Sequence, residues 1–238
     1  MRILITNDDG IHCKNMMKLA ELARDLGEVW VVAPASECSA MSHCVTVKSD
    51  LILKEEADFP VEGVKAYSLT GTPADCVKAG IACILPEKPD LVLSGINVGY
   101  NLSRDVVYSG TFGAAAEGAM RGVTSIAYSM PKGAGFDIPE TYFRQITEML
   151  LKKKIGPDEV WNVNMPAGSA EDVKGILFDR TLAPSEYYFD HYEMEKISEI
   201  ETRVKAVFLH AGTGPEGSDL KAVTDGYISI GRVKNMVP

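Results

Sequence analysis

The sequence predicts an α/β fold: a mostly parallel sheet flanked by helices, with an extended β-rich region at the C-terminus. Short apolar runs that end in turn residues alternate with segments of helical period over the first 170 residues, the pattern of successive βαβ units. Strand, helix and strand already follow one another within the first 34 residues. From about residue 170 the texture changes to strand-like runs with no helices between them. The 238 residues therefore divide into a core, 1–170, and an extension, 171–238.

Composition narrows the function classes. Lys and Arg number 24 against 33 Asp and Glu, a net charge of −9. Long nucleic acid needs clustered cations and is not an expected partner, whereas a small anion held at a metal is compatible. Cys13, Cys38, Cys44, Cys76 and Cys83 are odd in number and include no C-x-x-C pair. They read as free thiols in a reducing compartment, not as a disulfide frame or zinc site. The chain opens directly in a core strand, with no charged start, apolar leader or run of membrane-spanning length. The expectation is a cytoplasmic protein with no membrane partner.

Taken in order, Ile3-Leu4-Ile5 is a buried strand that delivers Asn7-Asp8-Asp9-Gly10 at its C-terminal end, the edge where open parallel sheets bind ligands. Two adjacent carboxylates repel one another, and a cation accounts for both at once. Either alone could cap a helix, with Gly10 in the turn. Met16, Leu19, Ala20, Leu22, Ala23 and Leu26 recur at helical spacing before Gly27, and Glu28–Pro34 is the second strand. The loop 35–44 carries Ser36, Ser39, Ser42 and His43. By spacing alone the hydroxyls read as solvated loop and His43 as a hydrogen-bonded structural residue. Val45–Val47 and Leu51–Leu53 then alternate as a hairpin-like excursion.

Val64–Leu69 reads as a strand. Thr72, Pro73 and Asp75 open a helix that runs to about Ile84, by cap, first-position proline and first-turn acid. Pro89–Gly95 is a buried strand feeding the loop Gly95–Asn101. Its glycines do not form G-x-G-x-x-G, so a dinucleotide fingerprint fits poorly. Asn97 and Asn101 suit turn positions; an amide oxygen is also a neutral hard ligand for magnesium or manganese. Tyr108-Ser109-Gly110-Thr111 opens a Gly/Ala-rich helix whose start is either a capped packing element or an anion site. A strand at 124–129, an amphipathic helix at 139–153 and a strand at 160–166 complete the core. Beyond it, 175–182, 187–189, 204–209 and 227–230 read as strands.

Five motifs in order closely resemble the SurE family: Asn7-Asp8-Asp9-Gly10 with Ser39 in its loop, Gly71–Val77, Ser94–Asn101, Tyr108–Thr111 with the helix after it, and Gly226–Ile230. The resemblance implies a Rossmann-like core, a C-terminal extension and a homodimer or homotetramer. It implies a metal-dependent nucleotidase that removes phosphate from nucleoside 5′-monophosphates, with 3′-monophosphates left open as further substrates. By position, Asp8, Asp9, Ser39 and Asn97 would hold a divalent cation, Mg2+ or Mn2+. Asn101, Ser109, Gly110 and Thr111 would bind the phosphate. Asp8 is the first choice for the group that accepts the proton of water. On this division Thr111→Ala leaves metal affinity nearly unchanged and lowers turnover. Three positions depart from the family pattern: Cys38 where Arg is common, Ser103-Arg104 where a Gly is usual, and Gly231-Arg232-Val233 in place of Thr-Pro-Leu. The rival readings are a broader phosphatase or exopolyphosphatase and a nucleotide-binding module without turnover.

Overall fold

The computed structural model describes residues 1–210 and 212–234; residues 235–238 of the expected extension lie outside them. The elements in chain order are β1 (Arg2–Thr6), α1 (Lys14–Ala23), β2 (Glu28–Pro34), β3 (Leu53–Glu55), β4 (Lys65–Leu69) and α2 (Pro73–Ala79). They continue with β5 (Leu91–Val98), α3 (Gly110–Met120), β6 (Thr124–Met130), α4 (Asp137–Leu151) and β7 (Glu159–Asn164). The C-terminal part holds β8 (Ile176–Leu177), β9 (Tyr188–Lys196), β10 (Thr202–His210), α5 (Asp219–Thr224) and β11 (Ile228–Lys234).

Nine strands form one sheet in the order β3-β4-β2-β1-β5-β6-β7-β11-β8. The six from β4 to β7 are parallel. Strand order reverses between β1 and β5, and the crevice outside their C-terminal ends is where a doubly wound sheet binds ligands. Alternation along each strand builds the two apolar layers. Ile3, Ile5, Val29, Val31, Leu91 and Leu93 share one core with Met16 and Leu19 of α1 and with Phe143 and Ile146 of α4. Leu4, Trp30, Val32 and Val92 face the other way, onto Cys76 and Val77 of α2 and Ala114 of α3. Both faces of the parallel strands are thus covered, which is why they read as unbroken apolar runs. All five cysteines are free. Among the described residues no helix is long and apolar enough to cross a membrane.

The structure alters three expectations. Val45–Val47 is not a strand, and of Leu51–Leu53 only Leu53 enters one, β3, antiparallel to β4. The backbone here is held by side chains at the start of α2: the Thr46 N–H donates to both Asp75 oxygens, at 3.1 and 3.0 Å, and the Thr72 hydroxyl donates to the Cys44 carbonyl at 2.6 Å. With those bonds made, a ladder is not required. The helix opened by Thr72 has its capping box with Asp75 but passes into a π-helical turn over Gly80–Ile84. Thirdly, the C-terminal part contains a helix, α5, capped by Ser218 and burying Leu220, Ala222 and Val223. Six residues are too few to display a helical period. The division near residue 170 runs through the main sheet, because β11 pairs antiparallel with β7 and parallel with β8. The part that forms a sheet of its own is the β9–β10 ribbon.

Candidate metal and phosphate site

Asp8 and Asp9 leave the end of β1 on a tight turn that Asn7 closes. The Gly10 N–H donates to Asn7 Oδ1 at 3.2 Å, Asn7 Nδ2 donates to the Gly10 carbonyl at 3.1 Å, and Gly10 adopts φ +94°. That φ is reached at low cost only by glycine. The turn aims Asp8 at the start of α3. There Thr111 Oγ1 donates to Asp8 Oδ1 at 2.6 Å and the Thr111 N–H donates to Oδ2 at 3.1 Å. Gly110 permits this approach, since a Cβ on it would lie 3.0 Å from Asp8 Cβ. Asp9 Oδ2 accepts the Val98 N–H at the end of β5, at 3.3 Å.

The loop 35–44 closes over the same end of the sheet. The Cys38 N–H donates to the Asp8 carbonyl at 2.7 Å, and the Ser42 N–H and hydroxyl donate to the carbonyls of Tyr108 and Val107. Gly113 of α3 lets the loop backbone at Ser42 press against the helix, where a side chain would collide with the Ser42 carbonyl. His43 is the structural residue expected: its Nε2 lies 2.9 Å from Glu117 Oε2, and Arg121 Nε donates to Glu117 Oε1 at 2.6 Å. Burial raises the Glu117 carboxyl, but the bonds from His43 and Arg121 outweigh it and hold the group below its usual range.

Two carboxylates at a buried edge are costly without a counter-charge. Asp8 is 5% exposed, and no Lys or Arg among the described residues pairs with Asp8 or Asp9. Burial pushes the Asp8 carboxyl up, against the pull of the two Thr111 bonds. Asp9 is pushed up to about 6, by burial first and by the Asp8 charge second. A divalent cation would stabilise the ionised form of both, and an all-oxygen set suits a hard one. Among the described residues no group of three or more His, Cys, Asp and Glu could hold a metal. Neutral oxygens would have to complete the set. Ser39 and Asn97 line the same cleft as Asp8. Asn97 donates its Nδ2 to the Gly99 carbonyl at 2.9 Å, which leaves its oxygen as the free end. The Ser39 hydroxyl donates to Glu37 Oε1 at 2.7 Å and keeps its lone pairs.

The four residues expected around phosphate are differently engaged. Ser109 caps α3, its Oγ accepting the Phe112 N–H at 3.0 Å. The Gly113 N–H goes to the Ser109 carbonyl and that of Thr111 to Asp8, so the Gly110 N–H is the first-turn donor without a partner among the described residues. Asn101 is clamped: its N–H donates to Asn164 Oδ1, its Nδ2 to Ser129 Oγ, and its carbonyl accepts from Asn162 and Asn164. Ser129 can donate as well as accept, so the network supports either orientation of the Asn101 amide. Asn101 and Ser109 line the cleft with Asp8.

Comparison with known proteins decides the kinship. The family model described as "Survival protein SurE" matches residues 3–186. The chain belongs to the SurE family. A "5'-nucleotidase SurE" of Thermoanaerobacter sp. (strain X514) is 39% identical over 246 residues, 97% of this chain and 90% of that protein. One from Methylorubrum extorquens (strain PA1) is 42% identical, covering 97% of this chain and 91% of the relative. The crystal structure of a SurE protein from Aquifex aeolicus superposes with a TM-score of 0.85 at 32% identity, over all of this chain and 95% of the other.

Three features of this SurE-family site could not be read from sequence. The Thr111 bonds to Asp8 span 103 positions, and no spacing rule connects them. The asparagine clamp uses Asn162 and Asn164, whose alternation in β7 reads only as a strand with polar residues. The third is Asp105, whose Oδ2 accepts the N–H groups of Tyr187 and Tyr188 at 2.8 and 2.7 Å, tying the start of β9 to the cleft.

Proposed function

We propose that this SurE-family protein is a cytoplasmic, divalent-metal-dependent nucleotidase that hydrolyses nucleoside 5′-monophosphates, and 3′-monophosphates by the same cradle, to nucleoside and phosphate. Supporting it most is the Asp8 carboxylate: buried, without a cationic side chain, and gripped through both oxygens by the start of α3. Asp8, Asp9, Ser39 and Asn97 hold the cation, Mg2+ or Mn2+. When bound, it neutralises phosphate charge and lowers the pKa of water.

The chain's own groups do the rest. The Gly110 N–H and the Ser109 hydroxyl face the phosphate at the positive end of α3. Asn101 fixes its far side. Asp8 accepts a proton from the attacking water as the new O–P bond forms and the ester O–P bond breaks. The nucleoside oxygen takes a proton from solvent water as it leaves, and Asp8 returns the proton it accepted to solvent. Thr111 keeps the Asp8 carboxylate in one orientation throughout. The test is phosphate release from a panel of 5′- and 3′-nucleotides with and without added divalent metal. Release from 5′-monophosphates that needs metal is expected; a nucleotide bound tightly but never hydrolysed would overturn the reading.

The β9–β10 ribbon points to assembly. It is a separate two-stranded sheet that exposes Met194, Ile197, Ile200 and Val204, and an isolated hairpin is marginal in water. A second copy that covers these side chains gives a homodimer or homotetramer. Light scattering at micromolar concentration should return at least twice the monomer mass; a monomer mass would contradict the assembly.

A further inference from the structure

The cleft lined by Asp8, Ser39, Asn97 and Asn101 is about 800 Å3 in volume. A phosphate group occupies a small part of that, and sites of 300–1,000 Å3 typically enclose a whole small ligand. Tyr100, Tyr187, Tyr188 and His210 line the same cleft. The Tyr187 ring stacks on the His210 imidazole, with centroids 5.1 Å apart and planes 24° from parallel. Tyr188 and Tyr100 meet Tyr187 edge-on, at 4.7 and 5.7 Å. These rings are fixed in advance by backbone bonds. Asp105 takes the N–H groups of Tyr187 and Tyr188, and the Tyr188 hydroxyl accepts the Tyr100 N–H at 3.1 Å. Opposite in sequence but on the same cleft, Tyr108 immediately precedes the helix cap Ser109 and is 60% exposed.

We propose that Tyr187, backed by His210, is the platform on which the base of the nucleotide stacks, and that Asp105 is the positioning residue that holds this platform over the cleft. The proposal rests on the nucleotidase reading and adds what that reading lacks, a reason for the cleft to prefer a nucleotide over other phosphate monoesters. A flat, polarisable surface recognises any base by its face, so it supplies affinity without demanding one base edge. With Asp105 replaced, two backbone donors lose their acceptor and the platform loses its fixed place.

The test compares adenosine 5′-monophosphate with ribose 5-phosphate, which carries the same phosphoester and sugar but no base. Tyr187→Ala should lower kcat/KM for the nucleotide roughly 5- to 150-fold, the span of base–aromatic stacking, mostly through KM. The same variant should hydrolyse ribose 5-phosphate as the parent does. Tyr187→Phe should retain the preference, and Asp105→Asn should weaken it in the direction of Tyr187→Ala. Equal losses on both substrates, or no loss on the nucleotide, would overturn the proposal. If the parent protein releases phosphate from neither compound, the nucleotidase reading fails. Calorimetry then decides the platform: tighter binding of the nucleotide than of ribose 5-phosphate, lost in Tyr187→Ala, supports it, and equal binding overturns it.

Discussion

Asp8→Asn is expected to reduce phosphate release by roughly 10²- to 10⁴-fold, the range for loss of a positioned acid–base group. It should also weaken metal binding, because one of the two carboxylates becomes neutral. The variant should fold. Burial already disfavours the charged Asp8 side chain, so removing that charge relieves the apo protein of a desolvation cost. Thermal unfolding without metal should therefore begin no lower than in the parent. The protection that added Mn2+ gives the parent should shrink in the variant, since a ligand stabilises only the state that binds it. Parent-level turnover in Asp8→Asn would remove Asp8 from the chemistry altogether.

The second large effect is expected at Thr111. Its hydroxyl and amide both end on Asp8, at 2.6 and 3.1 Å, so it acts through that carboxylate. Thr111→Val keeps the volume of this fully buried side chain and removes only the 2.6 Å bond. Groups that orient metal ligands typically matter by about 10- to 100-fold in metal affinity or activity. A loss of that size is expected in both, with partial recovery of turnover at high metal concentration. This redraws the division expected from sequence, in which Thr111 touches phosphate and leaves metal affinity nearly unchanged. Manganese titration by calorimetry beside steady-state kinetics separates the two. Unchanged metal affinity with a reduced kcat would return Thr111 to the phosphate.

Legibility followed how local the physics was. The strands β1, β2, β5, β6 and β7 are buried on both faces, and their apolar runs announce them. Asp8 and Asp9 stand out because two adjacent carboxylates after a buried strand have few bland explanations. Ser39 and Asn97 did not: a serine in a polar loop and an asparagine beside glycines are ordinary, and only the family resemblance singled them out. The β9–β10 ribbon is longer than its apolar residues imply, because Glu193 and Glu195 alternate with them and the pairing comes from register with 202–210. Long-range contacts were beyond reach for a plain reason. Asp105 meets Tyr187 across 82 positions, and Thr111 meets Asp8 only because the strand order reverses between β1 and β5.

In the proposed reaction phosphate release depends on a divalent cation held by oxygens at that reversal. Its most direct test is exhaustively demetallated protein with a nucleoside 5′-monophosphate, while Mg2+ or Mn2+ is titrated back. No phosphate without metal and saturable recovery with either ion are expected. Full phosphate release from the demetallated protein would contradict it.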